Sequence, residues 1–347
     1  MAIRRFDLGR VSVALAGAAW LALMPSLARA QDAAEQLRGK VVTLYIGGGV
    51  GGGVDALARS LIPYLTKHLP GNPPIIIKNL PGAGGMQAVE LLYATAPKDG
   101  TAIGTTATGP IVEPVLGTTP VHYDLVKFSW IGSLATDQTT CFTWHGSAVK
   151  SIEDAKQREV PLSTTGARSN STLIPLMLNN VLGTRFKMIP GYDGGTAMLA
   201  IERGEVDGRC TSIGSIHAAK PDWITDRKIT MLVQVGLEKD PDFLKVPLAL
   251  DLATSARDRA AMEFFLIPSE IQDPYMLPPG VPEALVVAWR RAFDAAVADA
   301  AFLADVEKRH QDARPKNGDY VQKALAKMFA APRPVIERAI EMTTPKG

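Results

Sequence analysis

Two glycine-rich loops are the parts of this chain whose residue types and spacing could do chemistry. Residues 47–53 hold six glycines directly after an apolar stretch, and residues 81–85 hold three more after the next one. Glycine lets a ligand approach the backbone closely and tolerates positive φ. A helix that follows presents free N–H groups and a partial positive charge. Together these features predict a site for an anion that needs no cationic side chain.

Enzyme chemistry is the first alternative use of these loops. Gly47, Gly49 and Gly52 match the dinucleotide fingerprint G-x-G-x-x-G, but the next strand ends in Lys78-Asn79 where a ribose-binding acid is required. No P-loop lysine follows the glycines, no G-x-S-x-G elbow is present, and the five histidines lack metal-ligand spacing. The sequence therefore predicts binding rather than catalysis, with no metal and no cofactor. An exported α/β enzyme with a glycine-lined anion site is the alternative that stays open.

The elements that would position these loops alternate between strand and helix, which predicts two α/β lobes with parallel sheets. The run Ile75-Ile76-Ile77 is too apolar for an exposed edge and predicts a buried strand. A strand at 264–267 should return to the first lobe, and a single long helix is expected at 284–306. In open α/β sheets, ligands bind at the carboxyl ends of strands. Five polar loops are expected there: 48–53, 81–85, 105–109, 164–171 and 191–196.

The N-terminus has the pattern of a secretory signal peptide. A basic start precedes an apolar run at 11–23, and Ala28-Arg29-Ala30 gives an A-x-A site, so cleavage is expected after Ala30. An uncleaved membrane anchor is the alternative, although the run is too short to span a bilayer. The net charge of +2 includes +3 within residues 1–30, which leaves −1 for the rest and argues against nucleic-acid binding.

The two cysteines, Cys141 and Cys210, both lie in the expected mature chain. An even pair in an exported protein predicts a disulfide. Two buried thiols are the alternative.

Several short motifs resemble the substrate-binding component of the tripartite tricarboxylate transporter system, also called the Bug family. The resemblance covers essentially the whole mature chain. Its strongest part is a PGAGG sequence at its spacing from the other motifs. The matching residues are Gly51-Gly52 with Asp55, Asn79 with Pro81-Gly82-Ala83-Gly84-Gly85, Ala96-Pro97-Lys98-Asp99-Gly100, Tyr123-Asp124, Pro190 with Tyr192, Gly194 and Gly195, Gly204 with Val206-Asp207, and Pro278-Pro279-Gly280 with Pro282.

The resemblance implies a type II periplasmic-binding-protein fold: α/β, two lobes, each a mainly parallel sheet flanked by helices, with a ligand cleft between the lobes. We assign residues 1–30 to the signal peptide, 31–135 plus 265–347 to lobe 1, and 136–264 to lobe 2. The implied function is capture of a small organic carboxylate in the periplasm for uptake or sensing. The expected partner is a membrane transporter or sensor component, and the expected state is a monomer.

The loops and the resemblance together give a set of candidate ligand-binding residues. They are Gly48, Gly51, Gly52, Gly53, Gly82, Ala83, Gly84, Gly85 and Thr106 in the first lobe, and Thr165, Arg168, Ser169, Ser171, Tyr192, Asp193 and Gly194 in the second. Arg168 stands where the family has glycine, and either makes a bidentate carboxylate contact or is a solvated loop residue. Asp193 would disfavour a second carboxylate unless its side chain turns away or binds an amine. Departures such as Leu80 for arginine and Met86 for asparagine leave the identity of the carboxylate open.

Overall fold

The computed structural model describes residues 36–116, 120–136, 138–165, 169–192, 194–309, 311 and 313–345. The expected signal peptide lies outside these residues. The strands are β1 (Val42–Gly47), β2 (Ile75–Asn79), β3 (Ala102–Thr106), β4 (Ser129–Ala135), β5 (Thr139–Trp144), β6 (Val160–Thr164), β7 (Phe186–Pro190), β8 (Gly208–Ser212), β9 (Ile229–Val235), β10 (Gln272–Leu277) and β11 (Lys316–Asn317).

Helices alternate with these strands. They are α1 (Gly53–His68), α2 (Met86–Ala94), α3 (Gly109–Leu116), α4 (Ile152–Gln157), α5 (Asn170–Leu182), α6 (Gly194–Glu202), α7 (Ile213–Ala219), α8 (Pro221–Thr225), α9 (Ala249–Leu252), α10 (Ala256–Leu266), α11 (Glu283–Val297), α12 (Ala300–Lys308), α13 (Gly318–Phe329) and α14 (Arg333–Met342). Among the described residues, no helix is both long and apolar enough to cross a membrane.

The first sheet brings both glycine loops to one edge. Its longer strands lie in the order β4-β10-β3-β1-β2. β1 is parallel to both β2 and β3, with Ile46 opposite Asn79 and Gly47 opposite Thr106. Because parallel strands end at the same edge, this register places the loops that follow β1, β2 and β3 side by side. Every residue of β3 is buried, which fixes the position of Thr106.

The second sheet has the order β7-β6-β8-β5-β9. β6 is parallel to β7 and β8, whereas β5 runs antiparallel to β8 and β9. In the β5–β8 pair Cys141 lies opposite Cys210, and a disulfide joins them across a Cα–Cα distance of 4.0 Å. Both cysteines are buried in an apolar core that also contains Leu162 and Val233.

The structure divides into two compact units. Of the described residues, unit 1 comprises those up to Thr106, those of His122–Gly132 and those of Tyr275–Leu303. Unit 2 comprises the described residues of Ala107–Val121, Ser133–Pro274 and Ala304–Gly347. Two of the points where the chain passes from one unit to the other fall inside strands β4 and β10. The sequence assigned all of residues 265–347 to the first lobe. In the structure α14 packs against α10 and α5 within unit 2, where Ala339 and Met342 are buried.

Three sequence-based expectations are wrong. Residues 264–266 are the end of α10, which Ser255 caps by accepting the N–H of Asp258, and Ile267 begins a short 3-10 helix. The strand that returns is β10. The expected helix at 284–306 is divided into α11 and α12, and the Asp299 carboxylate accepts the N–H of Ala301 at the start of α12. β2 is an edge strand, and Ile76 in it is 47% exposed.

Candidate functional site

The first glycine loop uses part of its backbone to hold its own shape. The N–H of Gly51 donates to Asp55 Oδ2 at 2.8 Å, and the N–H of Gly52 donates to the carbonyl oxygen of Gly49 at 3.1 Å. Two of the N–H groups that the sequence predicted for ligand binding are therefore already engaged. The N–H groups of Gly48, Gly49 and Gly53 have no hydrogen-bond partner among the described residues. They remain as donors.

The second glycine loop has an unusual backbone. Ala83, Gly84 and Gly85 have φ values of 52°, 66° and 98°, so three residues in a row adopt a left-handed conformation. Such conformations cost little only at glycine. They close a short 3-10 turn over Gly82–Gly85, whose first residues have N–H groups without an intrahelical acceptor. The N–H of Leu80, just before the turn, donates to the carbonyl oxygen of Ile46 at 2.8 Å and ties the loop to β1.

The two loops meet at Thr106. A Cβ atom built on Gly47 would lie 2.6 Å from Thr106 Oγ1, and one built on Gly85 would lie 2.8 Å from it. Both positions must therefore be glycine for the backbone to come this close. Thr106 is fully buried, and its hydroxyl has no hydrogen-bond partner in the described part of the chain. A buried hydroxyl without a partner carries a free-energy cost unless a ligand or water satisfies it.

The buried carboxylate of Asp55 connects the first loop to Asn79, the residue from which the second loop begins. Asp55 is only 1% exposed, and its Oδ2 accepts Arg59 Nε at 2.8 Å. Asn79 Nδ2 donates both to Asp55 Oδ1 at 2.9 Å and to the carbonyl oxygen of Gly48 at 3.0 Å. Arg59 Nη2 also reaches Asn79 Oδ1 at 3.5 Å. In the sequence analysis Asp55 and Asn79 are family motif residues without an assigned role, and Arg59 is not singled out. The i,i+4 spacing of Asp55 and Arg59 directly after the loop was the available signal.

Because of these bonds, the ionised form of Asp55 stabilises the fold, and this contribution depends on pH. The pKa of Asp55 is lowered to about 2, and the hydrogen bond from Arg59 is the largest cause. A carboxylate with a lowered folded-state pKa stabilises the fold above its unfolded pKa of about 4, and that stability is lost as the pH falls towards 2.

We expect the free energy of unfolding of the wild type to fall by up to about 2 kcal/mol more than that of Asp55→Asn across this window. Urea unfolding between about pH 5 and about pH 2 measures the difference. The Asn variant is the control, because it has no group to titrate at this position. Parallel pH profiles for the two proteins would contradict the assignment.

In unit 2, hydroxyl groups gather at the N-terminus of α5. Ser171 Oγ accepts the N–H of Thr165 at 3.1 Å and lies 3.2 Å from Thr165 Oγ1 and 2.8 Å from Ser169 Oγ. Tyr192 is linked to the same strand end, since its N–H donates to the carbonyl oxygen of Thr164 at 3.2 Å. The structure therefore brings Thr165, Ser169 and Ser171 into one cluster, in which the hydroxyls already contact one another.

The remaining residues predicted for the second lobe are less informative. Gly194 is the first residue of α6. Arg168 and Asp193 lie outside the described residues, so both alternatives for Arg168 and the amine hypothesis for Asp193 stay predictions. Within the described ranges, no group of three or more His, Cys, Asp or Glu side chains could hold a metal ion.

Comparison with known proteins identifies the chain's relatives. Residues 57–338 match the family described as the tripartite tricarboxylate transporter family receptor, TctC. A protein of Cupriavidus necator, "UPF0065 protein in gbd 5'region", is 29% identical over 258 residues, which span 72% of this chain and 74% of the relative.

Solved structures agree on the fold. A TctC solute-binding protein from Polaromonas is 19% identical with a TM-score of 0.68, and covers 84% of this chain and 96% of its own. MatC from Rhodopseudomonas palustris, solved with bound malate, is 21% identical with a TM-score of 0.53 and covers 88% and 99%. The α/β architecture, with two sheets flanked by helices, is that of periplasmic binding proteins. Since the family match extends over most of the chain, this protein belongs to the tripartite tricarboxylate transporter receptor family.

Proposed function

We propose that this protein is an extracytoplasmic solute-binding protein that captures a small organic carboxylate for uptake or sensing. The family to which it belongs consists of binding proteins, and the relative MatC was solved with malate. On this proposal the chain holds its ligand without changing it chemically.

The donor set of unit 1 supports a carboxylate as the ligand. Gly48, Gly49 and Gly53 offer N–H groups from the first loop, and Gly82 and Ala83 offer them from the second. Gly53 also begins α1, a 16-residue helix whose N-terminus carries partial positive charge. Several neutral donors at one sheet edge can bind an anion without a cationic side chain, because the fold holds them in place before the ligand arrives.

The observation that carries the proposal is the hydroxyl of Thr106. It is buried, lacks a partner among the described residues, and lies between the two glycines that bring the loops together. A carboxylate oxygen that accepts this hydroxyl and the neighbouring N–H groups would satisfy all of them together. Thr165, Ser169 and Ser171 are a separate candidate set of donors in unit 2.

A ligand screen tests the function directly. We expect mono-, di- and tricarboxylates that bind to raise the melting temperature with a dependence on concentration that follows mass action. Titration calorimetry then gives the affinity, and NMR of the recovered acid should show it unchanged. Conversion of the acid into a product would instead support the exported-enzyme alternative. If no carboxylate shifts the melting temperature or gives heat, the proposed function is wrong.

Thr106→Val should separate binding from stability. Valine keeps the shape of threonine and removes only the hydroxyl, so the free protein should be as stable as the wild type or more stable by about 1 kcal/mol. The affinity for a carboxylate from the screen should fall about tenfold, because one hydrogen bond to a charged group is lost. Thermal unfolding and calorimetry measure the two effects.

Thr105→Val is the matched control for this variant. Thr105 is also buried with an unpartnered hydroxyl among the described residues, but adjacent strand residues point to opposite faces of the sheet. We expect a similar effect on stability and no change in affinity. Equal affinities for the wild type and Thr106→Val would remove this hydroxyl from the site.

Export and assembly are further parts of the proposal. We expect N-terminal sequencing of the protein from a Gram-negative periplasm to begin at Gln31, with a monomeric mass in light scattering. The partner would be a membrane transporter or sensor component, in keeping with the transporter family.

A further inference from the structure

We propose that Asp55, Arg59 and Asn79 are positioning residues that hold the two glycine loops in their binding form. We call these three residues the clamp. The inference rests on the proposed function, since it assigns a role to residues beside the proposed carboxylate site. It goes beyond that function because none of the three side chains needs to touch the ligand.

The clamp joins parts of the chain that are far apart in sequence. Asn79, the last residue of β2, donates from one amide nitrogen to Gly48 in the first loop and to Asp55 in α1. Asp55 in turn accepts the N–H of Gly51. The second loop begins directly after Asn79, so the direction in which it leaves β2 is tied to the shape of the first loop.

The clamp also selects which backbone donors remain for a ligand. Because Asp55 occupies the N–H of Gly51, that group cannot turn towards a ligand, and the loop is held in a single arrangement. Glycine loops lose more conformational freedom on ordering than any other sequence. A loop already ordered by the clamp avoids that loss at the moment of binding, which raises affinity.

Arg59 also affects the electrostatics of the proposed site. The Asp55 carboxylate lies in the first turn of α1, where it draws on the same helix N-terminus that would attract an anionic ligand. Arg59 offsets this negative charge through an ion pair at 2.8 Å. Without Arg59, a buried and unpaired carboxylate would lie beside the site. It would repel a dianion more than a monoanion.

Hydrogen–deuterium exchange of the ligand-free protein tests the positioning role. We expect Asn79→Ala and Asp55→Asn to speed exchange about tenfold at the hydrogen-bonded amides of both loops, Gly51 and Gly52 in the first and Leu80 in the second, as loss of one charged hydrogen bond would produce. Strands β5, β6 and β8 should be unchanged. Asp305→Asn is the matched control for Asp55→Asn and should leave both loops unchanged, because Asp305 pairs with Arg309 Nε at 3.0 Å with the same i,i+4 spacing, in unit 2. Exchange that is unchanged, or faster only in 48–53, would overturn the clamp.

Binding measurements test the charge role with two probes of equal length, succinate and its monoamide succinamate. Arg59→Gln should weaken succinate about tenfold and succinamate by about threefold or less. In the double variant Asp55→Asn/Arg59→Gln the unpaired carboxylate is gone. Its loss of affinity relative to the wild type should therefore be the same for succinate and succinamate. Equal losses for the two probes in Arg59→Gln would overturn the charge role. If the wild type binds no carboxylate at all, the proposed function fails, whereas the exchange experiment still decides whether the clamp orders the loops.

Discussion

Gly85→Ala is expected to lower the free energy of unfolding by about 3–5 kcal/mol and to abolish carboxylate binding, whereas Gly84→Ala should cost only about 1 kcal/mol. Both residues have positive φ, 98° for Gly85 and 66° for Gly84, so both substitutions incur backbone strain. Only at Gly85 would the new Cβ overlap the carbonyl oxygen of Gly47 and lie 2.8 Å from Thr106 Oγ1. Backbone atoms cannot move aside as the end of a flexible side chain can.

The two alanine variants control for each other, because they lie in the same turn and add the same methyl group. At Gly84 a Cβ would meet nothing within 4 Å. Urea unfolding and titration with the carboxylate from the screen measure both effects. Similar losses at the two positions would show that backbone strain alone decides the outcome, and that the close approach of Gly47 and Gly85 does not matter.

The sequence located the glycine loops but could not rank the glycines within them. In the structure Gly52 has a φ of −70° that any residue can adopt, and a Cβ there would lie 3.2 Å from the carbonyl oxygen of Gly49. Which glycine is indispensable depends on which strand lies opposite it. That is set by the register of β1 with β3 and is not encoded locally.

The sequence likewise located the hydrogen-bond donors of the anion site but could not tell which of them are available to a ligand. Glycine content and a following helix predicted an anion site, and the fold does bring both loops to one sheet edge. The sequence could not tell that the N–H of Gly51 is taken by Asp55, because this bond depends on the orientation of a side chain four residues away. Nor could it tell that the Thr106 hydroxyl lacks a partner among the residues described, because this depends on what the buried neighbours of Thr106 offer.

The alternation of secondary-structure elements was predictable from the sequence. The predictions that rested on local composition alone were wrong for some elements. The alternation of strand and helix predicted two α/β lobes, and the structure has two sheets flanked by helices. The returning strand was predicted too early in the chain. Phe264 and Phe265 are apolar but belong to a helix, whereas β10 begins with polar residues and contains Pro274. β2 was expected to be buried on composition alone. The order of strands in the sheet, which composition does not specify, places it at the edge.

Removal of the Cys141–Cys210 bridge should have the second large effect. The two cysteines are 69 residues apart in sequence, so the chain-entropy account gives a stabilisation of roughly 4 kcal/mol as an upper figure. We expect the reduced wild type and the Cys141→Ala/Cys210→Ala variant to lose about 2–4 kcal/mol relative to the oxidised protein. Urea unfolding with and without reductant measures the loss.

The location of the bridge predicts where the loss will appear. Cys141 and Cys210 join β5 to β8 inside the core of unit 2, so exchange of the amides in these strands should quicken on reduction, while β1 and β3 in unit 1 should not respond. Periplasmic expression followed by alkylation under denaturing, non-reducing conditions establishes the starting state by mass. Two alkylated thiols would show that the bridge does not form in the exported protein. Equal stability of the oxidised and reduced forms would show that this core holds the two strands together without it.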